Sequence, residues 1–212
     1  MSTTNNTTAI INGQACRRHI NPSGSMGGWV SETAYVAPTA YIGPAAVVLD
    51  AARVTGNSRV LDSAQVCDDA WISGNAWISD DARISGNAWV SDDAWIFGNA
   101  RIAGNARISG NARVSGRASV SGNARVRNCA QVFGQARISG SARISGYAQI
   151  FGNALITEHA KVSGYARVRG YAEVSGRARV RGMADVCDFA RVYGRAKITR
   201  HERIWNKTLV NR

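Results

Sequence analysis

The sequence predicts an all-β solenoid, and three regularities predict it. Every sixth residue from Val30 to Val210 is Val or Ile, thirty-one positions without a break. Four residues after each of these, Ala stands in twenty-seven of thirty cases, the exceptions being Ser58, Glu202 and Thr208. Two residues after each, Gly stands in seventeen of thirty units and Asp or Asn in eight more. Such a period fits neither a helix of about 3.6 residues per turn nor a simple two-faced strand. It fits a coil that turns one corner per six residues.

Residues 1–28 read as an N-terminal polar tail and capping segment. Within it AIINGQACRRHI at 9–20 suits a hairpin or strand laid over the first coil, and Trp29 is suited to plug the open end. Solenoid ends need such covers because they expose apolar faces and unpaired strand edges. Residues 29–210 form the repeat. In the unit Ile108-Ser109-Gly110-Asn111-Ala112-Arg113, followed by Val114, alternation along a short strand of about three residues turns Ala112 and Val114 inward and Arg113 outward. The Gly, Asp or Asn two residues after each Val or Ile supplies the positive φ that a tight corner needs. Glu32, Pro38, Pro44, Glu158 and Arg200 depart from that rule. Residues 211–212 are a tail. Trp205 either folds across the last coil or leaves that end as a surface for self-association, and the absence of a clear capping helix favours the latter.

The units ISGNAR at 108–113 and VSGRAS at 114–119 resemble the hexapeptide-repeat family: an aliphatic residue, a small or acidic one, two variable ones, a small one and a variable one. The resemblance covers about residues 30–210. It implies a left-handed parallel β-helix with three hexapeptides per triangular coil, about ten coils in all and no large loop insertions. At ~4.8 Å per coil the prism is roughly 48 Å long. Gly27-Gly28-Trp29-Val30, followed by units such as GNARIS, resembles a set of largely uncharacterised bacterial and prophage proteins. Some of these carry an acetyltransferase label that rests on fold analogy.

Composition narrows the function classes. No apolar run reaches transmembrane length, and the start MSTTNNTT is polar, unlike a secretory signal, so a soluble cytoplasmic protein with no membrane partner is expected. Cys16, Cys67, Cys129 and Cys187 are scattered and never paired as C-x-x-C, which suits small surface or turn residues better than a zinc site or disulfide framework. Three histidines, far apart, cannot build a three-histidine metal centre, so no metal is expected. The recurrent glycines lack the Gly-Lys-Ser/Thr of a phosphate loop, and no flat threonine ladder for ice is present. The net charge of +12 is polarised: residues 1–93 sum to −4 and residues 94–212 to +16. Such a rod attracts polyanions at one end or packs head to tail with itself.

With eighteen residues per coil, positions eighteen apart stack. One outward column reads Tyr35, Arg53, Trp71, Trp89, Arg107, Arg125, Arg143, Lys161, Arg179, Lys197. Its last six members form the candidate anion-binding site, a track for nucleic acid, an acidic polysaccharide or an acidic protein. The competing account is that charged side chains keep the faces of a β-prism from aggregating. A second column passes through Arg59, Trp77, Trp95 and Arg113, and a third through Arg83, Arg101, Ser119, Arg137, Leu155, Glu173 and Arg191. Trp71, Trp77, Trp89 and Trp95 form stacked pairs with aspartates in the corners between them. They are either an aromatic interface or sugar platform, or cross-strand packing with Asp chosen for the turns. Phe97, Phe133 and Phe151 lie on a further register suited to packing between subunits.

Family relatives include acyltransferases that use acetyl-CoA and a histidine base between subunits, and they are commonly trimers. The resemblance therefore implies a homo-oligomer, a trimer by preference, with end-to-end association as a further mode. It also implies an alternative function, coenzyme A-dependent acyl transfer with His159 as base and Glu158 beside it. His19 and His201 flank the repeat, whereas His159 lies within it. The unbroken repeat offers no irregular loop from which to build a pocket. The favoured expectation is thus a non-catalytic scaffold or binding protein with no cofactor, presenting basic and aromatic ladders to an acidic partner.

Overall fold

A computed structural model describes residues 7–211. Its logic begins with the inward pair of each unit. From Ala40 to Ala196 the repeated Ala and Val/Ile side chains are almost without exception fully shielded, while the residue between them faces out. Most strands contain only two residues, such as Arg107–Ile108, Arg113–Val114 and Ser119–Val120. They are shorter than the expected three because the Ala already belongs to the corner. In the unit after Val90, for instance, the Ala94 N–H donates back to the Ser91 carbonyl across Asp92 and Asp93.

Every glycine at the corner position has positive φ, and so does every Asp and Asn there. Glu158 and Arg200 hold φ 56° like their neighbours, although neither side chain favours it. The coil geometry therefore dictates the conformation, and the residue type only makes it easier to hold. Among the five departures, Glu32, Pro38 and Pro44 alone escape it, all in the first coil.

Parallel pairing joins residues eighteen apart: Arg107 to Arg125, Arg113 to Gln131, Ser119 to Arg137. This generates three sheets. The first face has ten strands, from Tyr35–Val36 to Lys197–Ile198, and the second has ten, from Tyr41–Ile42 to Arg203–Ile204. The third has thirteen and carries the N-terminal hairpin at its edge. The result is an all-β parallel β-helix of about ten turns, its core a single rod of Val, Ile and Ala. No helix among the described residues is long and apolar enough to cross a membrane.

At the N-terminal end β1 (Thr8–Ile11) and β2 (Gln14–Ile20) form an antiparallel hairpin. Its turn is Asn12-Gly13, both at positive φ, the pairing that such two-residue turns prefer. β2 pairs antiparallel with β3 (Met26–Ser31), which starts the parallel stack. Side chains then satisfy the open edge of the first coil. Buried Asn21 mimics a peptide: its amide donates to the Ile42 carbonyl at 3.1 Å and its oxygen accepts from the Ile42 N–H at 2.8 Å. The His19 Nε2 lies 3.2 Å from the Ala40 carbonyl, to which its N–H donates. Gly27 is needed for this close approach, since a Cβ there would sit 2.6 Å from the Ile42 carbonyl.

Trp29 does not plug the open end as expected. It stands in register with outward-facing Val47 and lies on the third face, its ring under the Arg18 guanidinium at 4.0 Å. Alternation decides this, because buried Val30 takes the inward position next to it. At the C-terminal end Trp205 does not fold across the last coil either and is 53 % exposed. There Glu202 and Thr208 replace the inward Ala and bond to their own corners: the Thr199 N–H donates to Glu202, and the Thr208 hydroxyl donates to the Trp205 carbonyl at 2.6 Å.

Candidate functional site

The first face assembles the basic column in register: Arg107, Arg125, Arg143, Lys161, Arg179 and Lys197 pair rung to rung. Five are exposed and Lys161 is half-buried. Three ion pairs form among the described residues: Arg169–Asp185 at 2.9 Å, Arg191–Glu173 at 3.2 Å and Arg203–Asp185 at 3.7 Å. All three use arginines away from the six-cation column. The six cations thus run along the face, rungs ~4.8 Å apart, with no carboxylate in ion-pair contact. Like charges this close repel, and no ion pair among the described residues relieves them.

Further cations border this face that one position per rung does not include. Arg127 lines a shallow cleft with Arg107, Arg125 and Trp89. Arg177 lines a groove with Arg143, Lys161 and Arg179. Arg127 follows the inward residue of its rung and Arg177 stands at a corner, so neither lies on the eighteen-residue column. The sequence signal for both is charge in the flanking registers, the residue after an inward Val or Ile and the residue before an inward Ala.

The tryptophans occupy the rungs beneath the cations. Trp71 and Trp89 stack at 5.4 Å and 10°, and Trp77 and Trp95 meet at 6.1 Å and 48°. Cations close these stacks: Arg107 lies 5.4 Å above Trp89, while Arg59 and Arg113 lie 5.3 and 5.5 Å from Trp77 and Trp95. Phe97 packs against Trp95 at 4.8 Å, and Phe133 stacks on Phe151 at 4.9 Å. Ring faces are therefore largely taken up by neighbouring rungs, leaving edges to the outside. That arrangement stabilises the sheet through aromatic and cation–π contact and offers little flat surface to a sugar ring.

The aspartates between them also have bonding partners. The Asp80 N–H donates to Asp62 Oδ2 at 3.1 Å, and the Gly98 N–H donates to Asp80 Oδ2 at 2.8 Å. Asp68 and Asp92 accept in the same way from Gly86 and Gly110. Each carboxylate caps the corner N–H one coil above, a charge-assisted bond. This ladder is a second reason for Asp at a corner, beyond its tolerance of positive φ.

His159 lies at a corner and lines the groove of Ser141, Arg143, Lys161, Arg177 and Arg179. Neither its ring nor the Glu158 carboxylate makes a hydrogen bond within the described residues, so the adjacent pair does not form an oriented base. Cys67, Cys129 and Cys187 stand at turns, one of the two expected settings, the first two half-buried and Cys187 buried, whereas Cys16 is buried within β2 and fits neither the surface nor the turn expectation. Residues directly after an inward Val, such as Cys67 and Cys187, lie partly under the turn, where a small thiol fits. All four cysteines are free.

Asp50, Cys67 and Asp68 bring their ligand atoms within 4.8 Å of one another, a grouping that the spacing of cysteines and histidines does not single out. Its groups have other roles. Asp50 accepts from the Asp68 N–H at 3.0 Å and from Gln14, and Asp68 accepts from Gly86. Burial, then the charges of Asp68 and Asp50, push the Cys67 thiol up to about 11, so it stays protonated at neutral pH.

Fold and comparison together define the class: the chain is a repeat β-helix protein. The family model that matches describes a YdcK β-solenoid repeat, at residues 76–92, 82–96 and 106–121. Those segments span the Trp77, Trp89 and Trp95 rungs and the start of the basic column. No curated protein matches the chain.

Proposed function

We propose that this chain is a non-catalytic β-solenoid scaffold that holds an acidic partner, a flexible linear polyanion, along its first face. The observation that carries the reading is the column of six cations without an acidic neighbour in contact. Balancing acids would be expected if the charges served only to keep the prism from aggregating. Asp92 borders the cleft of Arg107, Arg125 and Arg127 but accepts from the Gly110 N–H and forms no ion pair with them, while Glu173 and Asp185 sit on the other two faces and pair there. Long Arg and Lys side chains adapt to phosphates or sulfates whose spacing differs from the coil rise, which gives salt-sensitive and sequence-independent binding. Four free cysteines support a reducing, cytoplasmic setting for it.

Retention on immobilised heparin and on single-stranded DNA, measured against salt concentration, tests this reading. Elution of both below physiological salt would overturn it. Self-association belongs to the same reading, as a trimer or end to end. Exposed Trp205 and Leu209 on the last coil, with Ile204 and Val210 only half-buried, support the end-to-end mode. Light scattering over a wide concentration range tests it, a strict monomer being the contrary result.

A further inference from the structure

The third face breaks its own ladder at Ser119. Its outward column runs Arg83, Arg101, Ser119, Arg137, so one short side chain separates two long ones that stand two rungs apart, ~9.6 Å. The corner beside Ser119 carries Arg117, two residues earlier in the same coil. Asn99, Arg101, Arg117, Ser119, Gln135 and Arg137 together line an open notch of about 640 Å3. Its three arginines are exposed, and none makes an ion pair or a side-chain hydrogen bond among the described residues.

The notch shares Gln135 and Arg137 with a second cleft that continues to Leu155, Tyr171 and Phe189, where the Glu173 carboxylate is paired with Arg191 at 3.2 Å. Tyr171 and Phe189 stack at 5.2 Å and 4°. Phe189 covers one face of the Tyr171 ring. On the other side, one rung below, stands the short Asn153, so a planar ring has room to extend the stack there. That place is about two rungs, ~10 Å, from Ser119.

We infer that this groove is a binding site for a phosphate monoester that carries an aromatic ring, a ligand of nucleoside monophosphate size. The guanidinium forks of Arg101, Arg117 and Arg137 match the oxygens of a tetrahedral dianion, and Ser119 leaves the space it occupies. The Asn99 and Gln135 amides flank the phosphoryl group, while Leu155 and the free face of Tyr171 take the ring. The site is separate from the first face and does not depend on the polyanion reading.

Adenosine monophosphate is the probe, with adenosine and inorganic phosphate as the two halves, followed by calorimetry on the full chain. The decisive variant is Ser119→Arg. It restores an unbroken ladder of the kind found on neighbouring rungs, so the fold tolerates it, and it adds positive charge while filling the notch. Diffuse attraction predicts tighter binding, whereas a built notch predicts at least a tenfold loss. The expected results are that loss in both Ser119→Arg and Arg117→Gln, a several-fold loss in Tyr171→Ala, and weaker binding of each half than of the whole. Undiminished binding to Ser119→Arg, or equal affinity for phosphate and the nucleotide, would overturn the assignment. Heparin retention of Ser119→Arg stays at the wild-type value or above, which separates failure here from failure of the first-face reading.

Discussion

Replacing Arg125, Arg143 and Arg179 by glutamine removes alternate and adjacent charges from the middle of the first face without touching the core. All three side chains are exposed and their inward neighbours are unchanged, so the fold should persist. Surface changes of this kind usually shift stability by under about 0.5 kcal/mol, and relief of repulsion favours the variant. The consequence for binding follows from counterion release. If all six cations contact a single strand, log K falls with log salt at a slope of roughly −0.7 per contact, about −4 in total. Raising salt from about 50 to about 200 mM then weakens wild-type binding about 300-fold. With three contacts left the slope is about −2, and the same change weakens binding only about 20-fold. Fluorescence anisotropy with a labelled oligothymidylate measures both slopes. An unchanged slope in the triple variant would refute the reasoning, whatever happened to affinity at one salt concentration. It would mean that the contacts lie on another face.

Three predictions concern the scaffold. Ile108→Ala removes a fully buried side chain at mid-rod and is expected to cost about 2–5 kcal/mol in denaturant unfolding. At Asp80 two variants separate two contributions: Asp80→Gly loses the exposed bond from the Gly98 N–H, about 1 kcal/mol, and regains about as much by relieving the positive φ, so it is expected to be near neutral. Asp80→Ala loses that bond and keeps a φ of 56° that Ala tolerates no better than Asp, so it is expected to cost about 1 kcal/mol more than the glycine variant. For Cys67 the folded thiol titrates near 11, above its ordinary 9.0. Its favourable contribution is therefore complete below about pH 9 and disappears as pH rises toward 11. Wild type should lose stability over that interval relative to Cys67→Ser in parallel unfolding curves.

The sequence carried the fold almost whole because a solenoid reduces tertiary structure to a period. Once Val or Ile recurs every six residues and Gly or Asp marks the corner, burial of the inward pair and membership of the outward columns follow from Ala40 to Ile198. The ends were harder to read because they lack that translation. Nothing periodic indicates that Asn21 would imitate a peptide bond to Ile42, or that Trp29 would lie outside against Arg18. The basic column was legible for the same reason as the core. Its flanking cations Arg127 and Arg177 were not, since they belong to registers that bend around the corners. The notch at Ser119 was written in the third column as an interruption. Its depth depends on Arg117 and Gln135 closing it from the neighbouring corner, which only coordinates supply.

Glu158 shows how the regularity exposes selection at one position. Its backbone is held at φ 56° by the coils above and below, a conformation in which a non-glycine side chain costs about 1–2 kcal/mol. Asp in this setting recovers part of that through the bond to the N–H above, as Asp68 does with Gly86, but the Glu158 carboxylate makes no such bond. Glu158→Gly is therefore expected to raise stability by about 1 kcal/mol in denaturant titration. The same change removes the acid that stands next to His159 and its groove of cations, so polyanion retention should rise as well. A gain in stability without a gain in retention would mean that the first face does not extend to this corner. A loss of stability would mean that the Glu158 side chain has a structural partner, and the corner rule would then need a different physical basis there.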